Sequence, residues 1–236
     1  MKKKIVTSCL VVALLVLGIV GASLAYFTDK DAKDNVFTTG KVDISLEENF
    51  EDNAKLLPAT GSAQAGTLQN GVTKEIQVIN NTGSEDAYVR VHIAIPNILD
   101  NGDPSFDAGK NVLHFNYNED SIGAYKWDWS KTAGAPYDGD WNYYETTIDG
   151  IKYNVYVVTY EKALKDGEIT AEKAMHQVYL DSKVTNEDVE KINKALNNNI
   201  QIKVIAEGAQ AAGFDNAYAA LNAAFGAPGT YNAFAK

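Results

Sequence analysis

Histidine and acidic side chains are the residues of this chain that could do metal chemistry, because imidazole and carboxylate groups bind zinc. The sequence has three histidines, His92, His114 and His176. None lies in the His-Glu-x-x-His pattern, which places two ligands and a general base on one helical face. The run from Glu172 to His176 has the wrong order and leads into a strand-like segment. A zinc site built from all three histidines stays open, but the sequence predicts no catalytic residue, no metal site and no cofactor.

Acidic residues are spread along the chain and are concentrated in two loops, residues 100–107 and 138–140. Their carboxylates could supply the oxygen ligands that calcium prefers. The loops do not match the EF-hand pattern, so solvated loops are the favoured interpretation and calcium stays an alternative. The sequence has no Gly-x-Ser-x-Gly elbow and no phosphate loop. Spacing marks no particular pair of carboxylates as a glycosidase site.

Aromatic residues crowd the region between positions 125 and 144 and have two interpretations. In loops flanked by Asp and Asn, their rings could stack on sugars. The residues of this glycan or partner surface would be Trp127, Trp129, Trp141 and Tyr143. Aromatic residues also favour strands, so the favoured interpretation is that they fill the core and cover its edge.

The first 25 residues have the three regions of a secretory signal peptide. Residues 2–4 are lysines, residues 5–17 are mainly apolar, and residues 18–25 are rich in small side chains. This order predicts cleavage between Ala25 and Tyr26 and a secreted protein. The alternative is an uncleaved anchor, for which the segment is near the lower length that spans about 30 Å of hydrocarbon.

The charge of the chain restricts its partners. The sequence has 21 basic and 31 acidic residues, a net charge of −10. Cleavage removes three lysines and no acid, which leaves 18 basic and 31 acidic residues and a net charge of −13. Nucleic acid is excluded as a partner because its binding depends on Lys and Arg neutralising phosphates. The only cysteine, Cys9, lies in the predicted signal peptide, so no disulfide is expected.

Alternating apolar residues predict strands along most of the chain. The predicted strands cover residues 41–46, 72–80, 87–95, 111–117, 124–129, 142–148, 151–160, 175–180 and 200–206. Apolar residues at helical spacing predict one helix capped by Thr185 and another over residues 215–225. Strands and helices do not alternate, which predicts an all-β fold: an antiparallel jelly-roll-like β-sandwich with two short helices near the C-terminus. Residues 41–236 would form this single domain.

Two stretches of sequence carry a resemblance to a known family. Ala-Tyr-Phe-Thr-Asp spans the predicted cleavage site and is followed at residues 35–46 by NVFTTGKVDISL. Residues 72–91 read VTKEIQVINNTGSEDAYVRV. Both resemble the TasA/camelysin family of secreted proteins of Gram-positive bacteria.

The resemblance implies export and assembly. Members are processed by a SipW-type signal peptidase, and several build biofilm matrix fibres at the cell surface. By this resemblance, residues 26–40, called the leader below, are donated as a strand to another copy of the chain in a homopolymeric fibre. The expected donor residues are Tyr26, Phe27, Thr28, Val36 and Phe37.

Other functions stay open beside the fibre subunit. Camelysin relatives have been classed as metalloproteases, so a secreted protease is one alternative. A monomeric surface module that binds polysaccharide through the aromatic cluster is another. Whether the fibre is homomeric or includes an accessory matrix protein or a polysaccharide stays open at this point.

Overall fold

A computed structural model describes residues 28–31, 41–51, 54–60, 68–100, 113–116, 127–130 and 142–235, with the backbone alone for 28–31 and 113–116. Several predictions lie outside these residues. They concern the signal peptide, its cleavage between Ala25 and Tyr26, and the residues Phe27, Val36, Phe37 and Trp141.

The described chain contains ten strands and two helices. The strands are β1 (Thr28–Asp31), β2 (Ile44–Phe50), β3 (Val72–Asn80), β4 (Ala87–Pro96), β5 (Leu113–Asn116), β6 (Trp127–Asp128), β7 (Tyr143–Ile148), β8 (Ile151–Leu164), β9 (Met175–Leu180) and β10 (Lys203–Gln210). The helices are α1 (Asn186–Ala195) and α2 (Ala217–Phe225).

The strands form two sheets that pack face to face. Sheet A has the order β1-β10-β4-β8-β6, with β7 also paired to β8, and sheet B has the order β2-β3-β9-β5. Every pairing between these strands is antiparallel. The chain passes repeatedly from one sheet to the other, as in a jelly roll. The predicted all-β sandwich with two short helices near the C-terminus is confirmed.

Alternation along β3 and β4 supplies the centre of the core. Val89, Val91 and Ile93 of β4 face Ile76 and Val78 of β3, and all five are fully buried. Successive side chains of a strand point to opposite faces, so every second residue enters the core. These residues were predicted from the same alternation.

The outer face of sheet A is also covered, which the sequence did not predict. Helix α2 packs on it through Ala217, Ala220 and Leu221, which form a cluster with Ala209 of β10. Small side chains on both elements let the helix approach the sheet closely. Both faces of β4 are therefore buried.

Local signals fix the turn and helix boundaries. Asp149 and Gly150 have φ of 51° and 82°, as a type I′ hairpin turn requires at both positions. Helix α1 begins at a capping box, in which Thr185 and Asp188 each accept a hydrogen bond from the other's backbone N–H. The predicted cap at Thr185 is confirmed.

Candidate functional site

Strand β1, which belongs to the leader, covers the outer edge of β10. The pairing is antiparallel, with Thr28 opposite Ala209 and Asp31 opposite Ala206. Strand β10 pairs on its other side with β4 and is the last strand of sheet A before β1. Without β1, β10 would be an edge strand with unpaired backbone N–H and C=O groups. The leader therefore satisfies a sheet edge that the rest of the sandwich leaves open.

Gly208 allows the strand that forms this edge to pack closely on the opposite sheet. A Cβ atom at Gly208 would lie 2.9 Å from Cγ2 of Ile44 and 3.3 Å from Cγ1 of Val42. The glycine thus lets β10 approach the start of β2 closely, across the sandwich. Close packing makes the edge of β10 a preformed surface for an incoming strand.

The residues that directly follow the leader are anchored beside the turn between β3 and β4. The backbone N–H of Glu85 donates to the carbonyl of Lys41 over 2.9 Å, and the N–H of Asn81 donates to the carbonyl of Asp43 over 2.8 Å. The N–H of Asp43 donates to Oγ of Ser84 over 3.0 Å. The side chain of Lys41 also hydrogen-bonds Asp43, and this is the main cause of the lowered pKa of that carboxyl.

This anchoring gives a physical role to the Asn-Asn-Thr-Gly-Ser stretch at residues 80–84, which begins at the last residue of the predicted strand over residues 72–80. Asn80 is fully buried, and its Nδ2 donates to the carbonyls of Glu85 and Leu164 over 2.9 Å and 3.2 Å. Asn81 Nδ2 donates to Oδ1 of Asp43 over 2.8 Å. The sequence signal for this role was a run of polar residues that follows a predicted strand, within the segment at residues 72–91 that resembles the family.

An open groove lies next to the same edge, and its lining includes apolar side chains beside polar ones such as Glu48 and Lys74. It has a volume of about 890 Å³ and separates the end of β2 from residues 198–203, which lead into β10. Its walls include Phe50, Leu57, Val72, Ile200 and Ile202. Phe50 and Leu57 are 49% and 48% exposed, although both are large apolar side chains. The groove therefore continues the β10 edge as a surface that an apolar side chain could fill.

A second cluster of polar residues lies on the opposite, outer face of sheet A. Nε of Arg90 donates to Oε2 of Glu207 over 2.9 Å, and the hydroxyl of Tyr231 donates to the same oxygen over 2.5 Å. Nε2 of His92 lies 3.1 Å from that oxygen. Arg90 also donates to Oδ1 of Asn222 and to the carbonyl of Gly226, each over 3.0 Å. The cluster fastens α2 and the C-terminal tail to the sheet.

Glu207 stays ionised within this cluster. Burial on its own raises the pKa of the carboxyl, but the hydrogen bond and charge of His92, the charge of Arg90 and the hydroxyl of Tyr231 outweigh it and lower the pKa to about 2. Burial is the main cause of the raised pKa of Tyr231, so its hydroxyl keeps the proton that it donates. The sequence analysis missed this cluster. Two features of the sequence could have revealed it. Glu207 is an acidic residue among the small residues of β10, and Arg90 is a basic residue on the face of β4 that points away from the core.

Comparison with known families adds one finding. Residues 1–92 match the family model described as camelysin metallo-endopeptidase. The resemblance to the camelysin family is thereby confirmed over those residues. The matched stretch includes strands β1 to β3, the turn that anchors the leader and the first part of β4. No curated protein and no solved structure matches the chain.

The described residues do not fit the zinc centre that the camelysin family name implies. The ring of His92 is fully buried, and its nitrogens face the hydroxyls of Tyr231 and Tyr144 at 3.3 Å and 3.4 Å. The guanidinium of Arg90 lies in the same cluster, and a cation beside a metal opposes its binding. His176 lies in sheet B, and burial is the main cause of its lowered pKa. In the part of the chain that the structure describes, no three His, Cys, Asp or Glu residues form a metal-binding group.

The aromatic cluster is divided between the core and the surface. Trp127 and Trp129 are only 2% and 1% exposed and belong to the central core. Nε1 of Trp127 donates to the carbonyl of Glu172 over 2.8 Å, which satisfies its polar atom. The glycan-surface interpretation is wrong for both tryptophans, because neither indole can present its face to a sugar. Tyr143 is 41% exposed and stays available.

Asp100, the first acid of the loop over residues 100–107 for which calcium was an alternative, has a structural role. Its Oδ2 accepts hydrogen bonds from Nδ2 of Asn154 and from the hydroxyl of Tyr156, each over 2.8 Å. The carboxylate is buried and ties the end of β4 to β8. The other acids of the two loops lie outside the described residues. No helix of the described chain is long and apolar enough to cross a membrane.

Proposed function

We propose that this chain is a secreted structural subunit of an extracellular biofilm fibre and that it polymerises by strand addition through its leader. The observation that carries the proposal is the seat of β1 on the edge of β10, with Thr28 opposite Ala209 and Asp31 opposite Ala206. The leader joins the sandwich through residues 32–40. A second copy can therefore present the same backbone to the same edge.

Exchange of the leader between copies uses interactions that already exist within one chain. Each hydrogen bond lost between β1 and its own β10 is regained on the β10 of a neighbour, which is the logic of domain swapping. A copy donates at its leader and accepts at its β10 edge. These are two different surfaces, so the contact is heterologous and extends into a filament where the rotation does not close a ring.

Export would control when this exchange begins. The predicted signal peptide ends at Ala25, so cleavage by a SipW-type peptidase frees Tyr26 as the first residue of the leader. An uncleaved leader would carry an apolar segment that keeps it at the membrane. Assembly would then start outside the cell, on the surface of a Gram-positive bacterium.

Removal of the leader is expected to abolish filaments. Secreted chain that begins at Tyr26 should form filaments, whereas chain that begins at Val42 should stay monomeric because it can cover no neighbour's β10 edge. Negative-stain electron microscopy and sedimentation measure the two yields. Equal filament yields would contradict the proposal, and mass spectrometry of the secreted chain checks that it begins at Tyr26.

A secreted metalloprotease is the second candidate, favoured by the description of the matching family model. It predicts that purified chain contains stoichiometric zinc and hydrolyses casein, and that a chelator stops the hydrolysis. If metal analysis shows no zinc and casein stays intact, the protease is ruled out. Filament yield measured on the same sample decides between the two functions.

A further inference from the structure

The groove beside β10 extends the strand-acceptor edge beyond the part that β1 covers. β1 pairs with Ala206 to Ala209, whereas the groove is lined by residues 200–203 just before and at the start of β10. We propose that this groove is the seat of Phe37 from the leader of a second copy. The inference rests on the proposed function and adds to it the register and the anchor of the donated strand.

The observed register places Phe37 at the groove. Thr28 pairs with Ala209 and Asp31 with Ala206. The same antiparallel register, continued by six residues, brings Phe37 opposite Ile200 and Val36 opposite Gln201. Ile200 and Gln201 both line the groove.

The direction of the side chains selects Phe37 over Val36. Ala206 of β10 lies in the core between the sheets, and Val204, Ile202 and Ile200 pack against that core. Opposite residues of an antiparallel pair share a face. Phe37 would therefore enter the groove beside Ile200, while Val36 would point away from it.

Chain length shows that the donor must be a second copy. Val42 is fixed against Gly208, as a Cβ at Gly208 would lie 3.3 Å from its side chain. Eight residues separate Gly208 from Ile200, which is about 26 Å at the rise of a strand if β10 continues extended to Ile200. The five residues from Phe37 to Val42 reach at most about 18 Å when fully extended. A leader cannot bring its own Phe37 opposite its own Ile200, but the leader of a neighbour has no such limit.

This limit makes the intermolecular pairing longer than the intramolecular one. Within one copy, β1 ends at Asp31 opposite Ala206, and Lys41 lies beside Glu85 at the start of β4. Between copies, the leader can follow the whole edge from Ala209 to Ile200. The additional strand pairs and the burial of Phe37 beside Phe50 and Leu57 favour the filament over the monomer.

Disulfide trapping tests the proposed seat, because the chain from Tyr26 onward contains no cysteine. Phe37→Cys and Ile200→Cys chains are mixed under oxidising conditions, at concentrations at which the unmodified chain forms filaments. Directly opposite residues of a strand pair lie at a distance that a disulfide can bridge. We expect a covalent dimer from this mixture, and about tenfold less of it from Val36→Cys mixed with Ile200→Cys, whose side chains face opposite sides.

Filament yield separates this inference from the proposed function. Phe37→Ser should lower the yield about tenfold or more, whereas Val36→Ser should change it less than about twofold. Filaments without the 37–200 disulfide would overturn the groove assignment and leave strand addition standing. Absence of filaments from the unmodified chain would overturn strand addition itself. A disulfide that forms within one chain carrying both cysteines would contradict the reach argument.

Discussion

Replacement of Glu207 by leucine is expected to lower the free energy of unfolding by about 3–5 kcal/mol, which for a domain of this size is a fall of about 10 °C in Tm. The carboxylate is fully buried and accepts from Arg90 over 2.9 Å and from Tyr231 over 2.5 Å. Its loss leaves the guanidinium of Arg90 in a buried site without its counter-charge. Thermal unfolding followed by circular dichroism measures the change.

Two control variants show whether the charge is the cause. In Arg90→Met with Glu207→Leu, both charges are replaced by apolar groups, and the loss should be clearly smaller than in Glu207→Leu alone. Asp86→Ala removes an exposed ion pair with Lys165 and should cost less than about 1 kcal/mol. If Glu207→Leu alone and Arg90→Met with Glu207→Leu lose the same free energy of unfolding, packing rather than the unpaired charge causes the loss.

Acid should unfold the protein through the same carboxylate. The pKa of Glu207 is about 2 in the folded chain, against 4.5 for an ordinary glutamate. A lowered pKa stabilises the folded state above pH 4.5, and this stabilisation is lost as the pH falls from 4.5 towards 2. Urea unfolding at a series of pH values should show a steeper loss of stability over that range in the unmodified chain than in Glu207→Gln. If the free energy of unfolding falls equally with pH in the unmodified chain and in Glu207→Gln, Glu207 is not the cause of the acid sensitivity.

Alternation and turn chemistry predicted most of the sandwich from the sequence. β3 and β4 agree with the predicted strands, because their core-facing residues alternate strictly and turn residues bound them. β2 was placed too early: it begins at Ile44 and extends to Phe50, where polar residues on an edge strand hide the alternation. β8 runs on to Leu164 for a similar reason, since its last residues are only partly buried.

The candidate site was harder to predict because it depends on contacts between distant parts of the chain. β1 has the sequence Thr-Asp-Lys-Asp, which has no apolar alternation that would predict a strand. Its strand conformation comes from hydrogen bonding to β10, more than 170 residues away along the chain. The partners of Arg90 were equally hidden, because the sequence does not determine the place of the strand that carries Glu207, and Tyr231 lies in the C-terminal tail beyond the last helix.

A disulfide that holds β1 on its own β10 is expected to stop filament formation almost completely. Thr28 and Ala209 are opposite each other in the β1–β10 pair, so Thr28→Cys with Ala209→Cys can be joined by a disulfide. The locked leader cannot be donated, and the occupied β10 edge cannot accept another. Both surfaces that assembly requires are removed at once.

The double variant also serves as its own control. When reduced, it has the same sequence and a free leader, so its filament yield should return to that of the Ala209→Cys single variant. A loss of filaments that persists after reduction would show that the substitutions harm assembly by another route. Oxidation of dilute monomer, before any filament grows, keeps the disulfide within one chain.

The most direct test of leader exchange is therefore the filament yield of this oxidised monomer before and after addition of a reductant, measured by light scattering and electron microscopy. Leader exchange predicts no filaments from the locked monomer and prompt growth once the disulfide is reduced. Abundant filaments from monomer whose intramolecular disulfide is intact would contradict it.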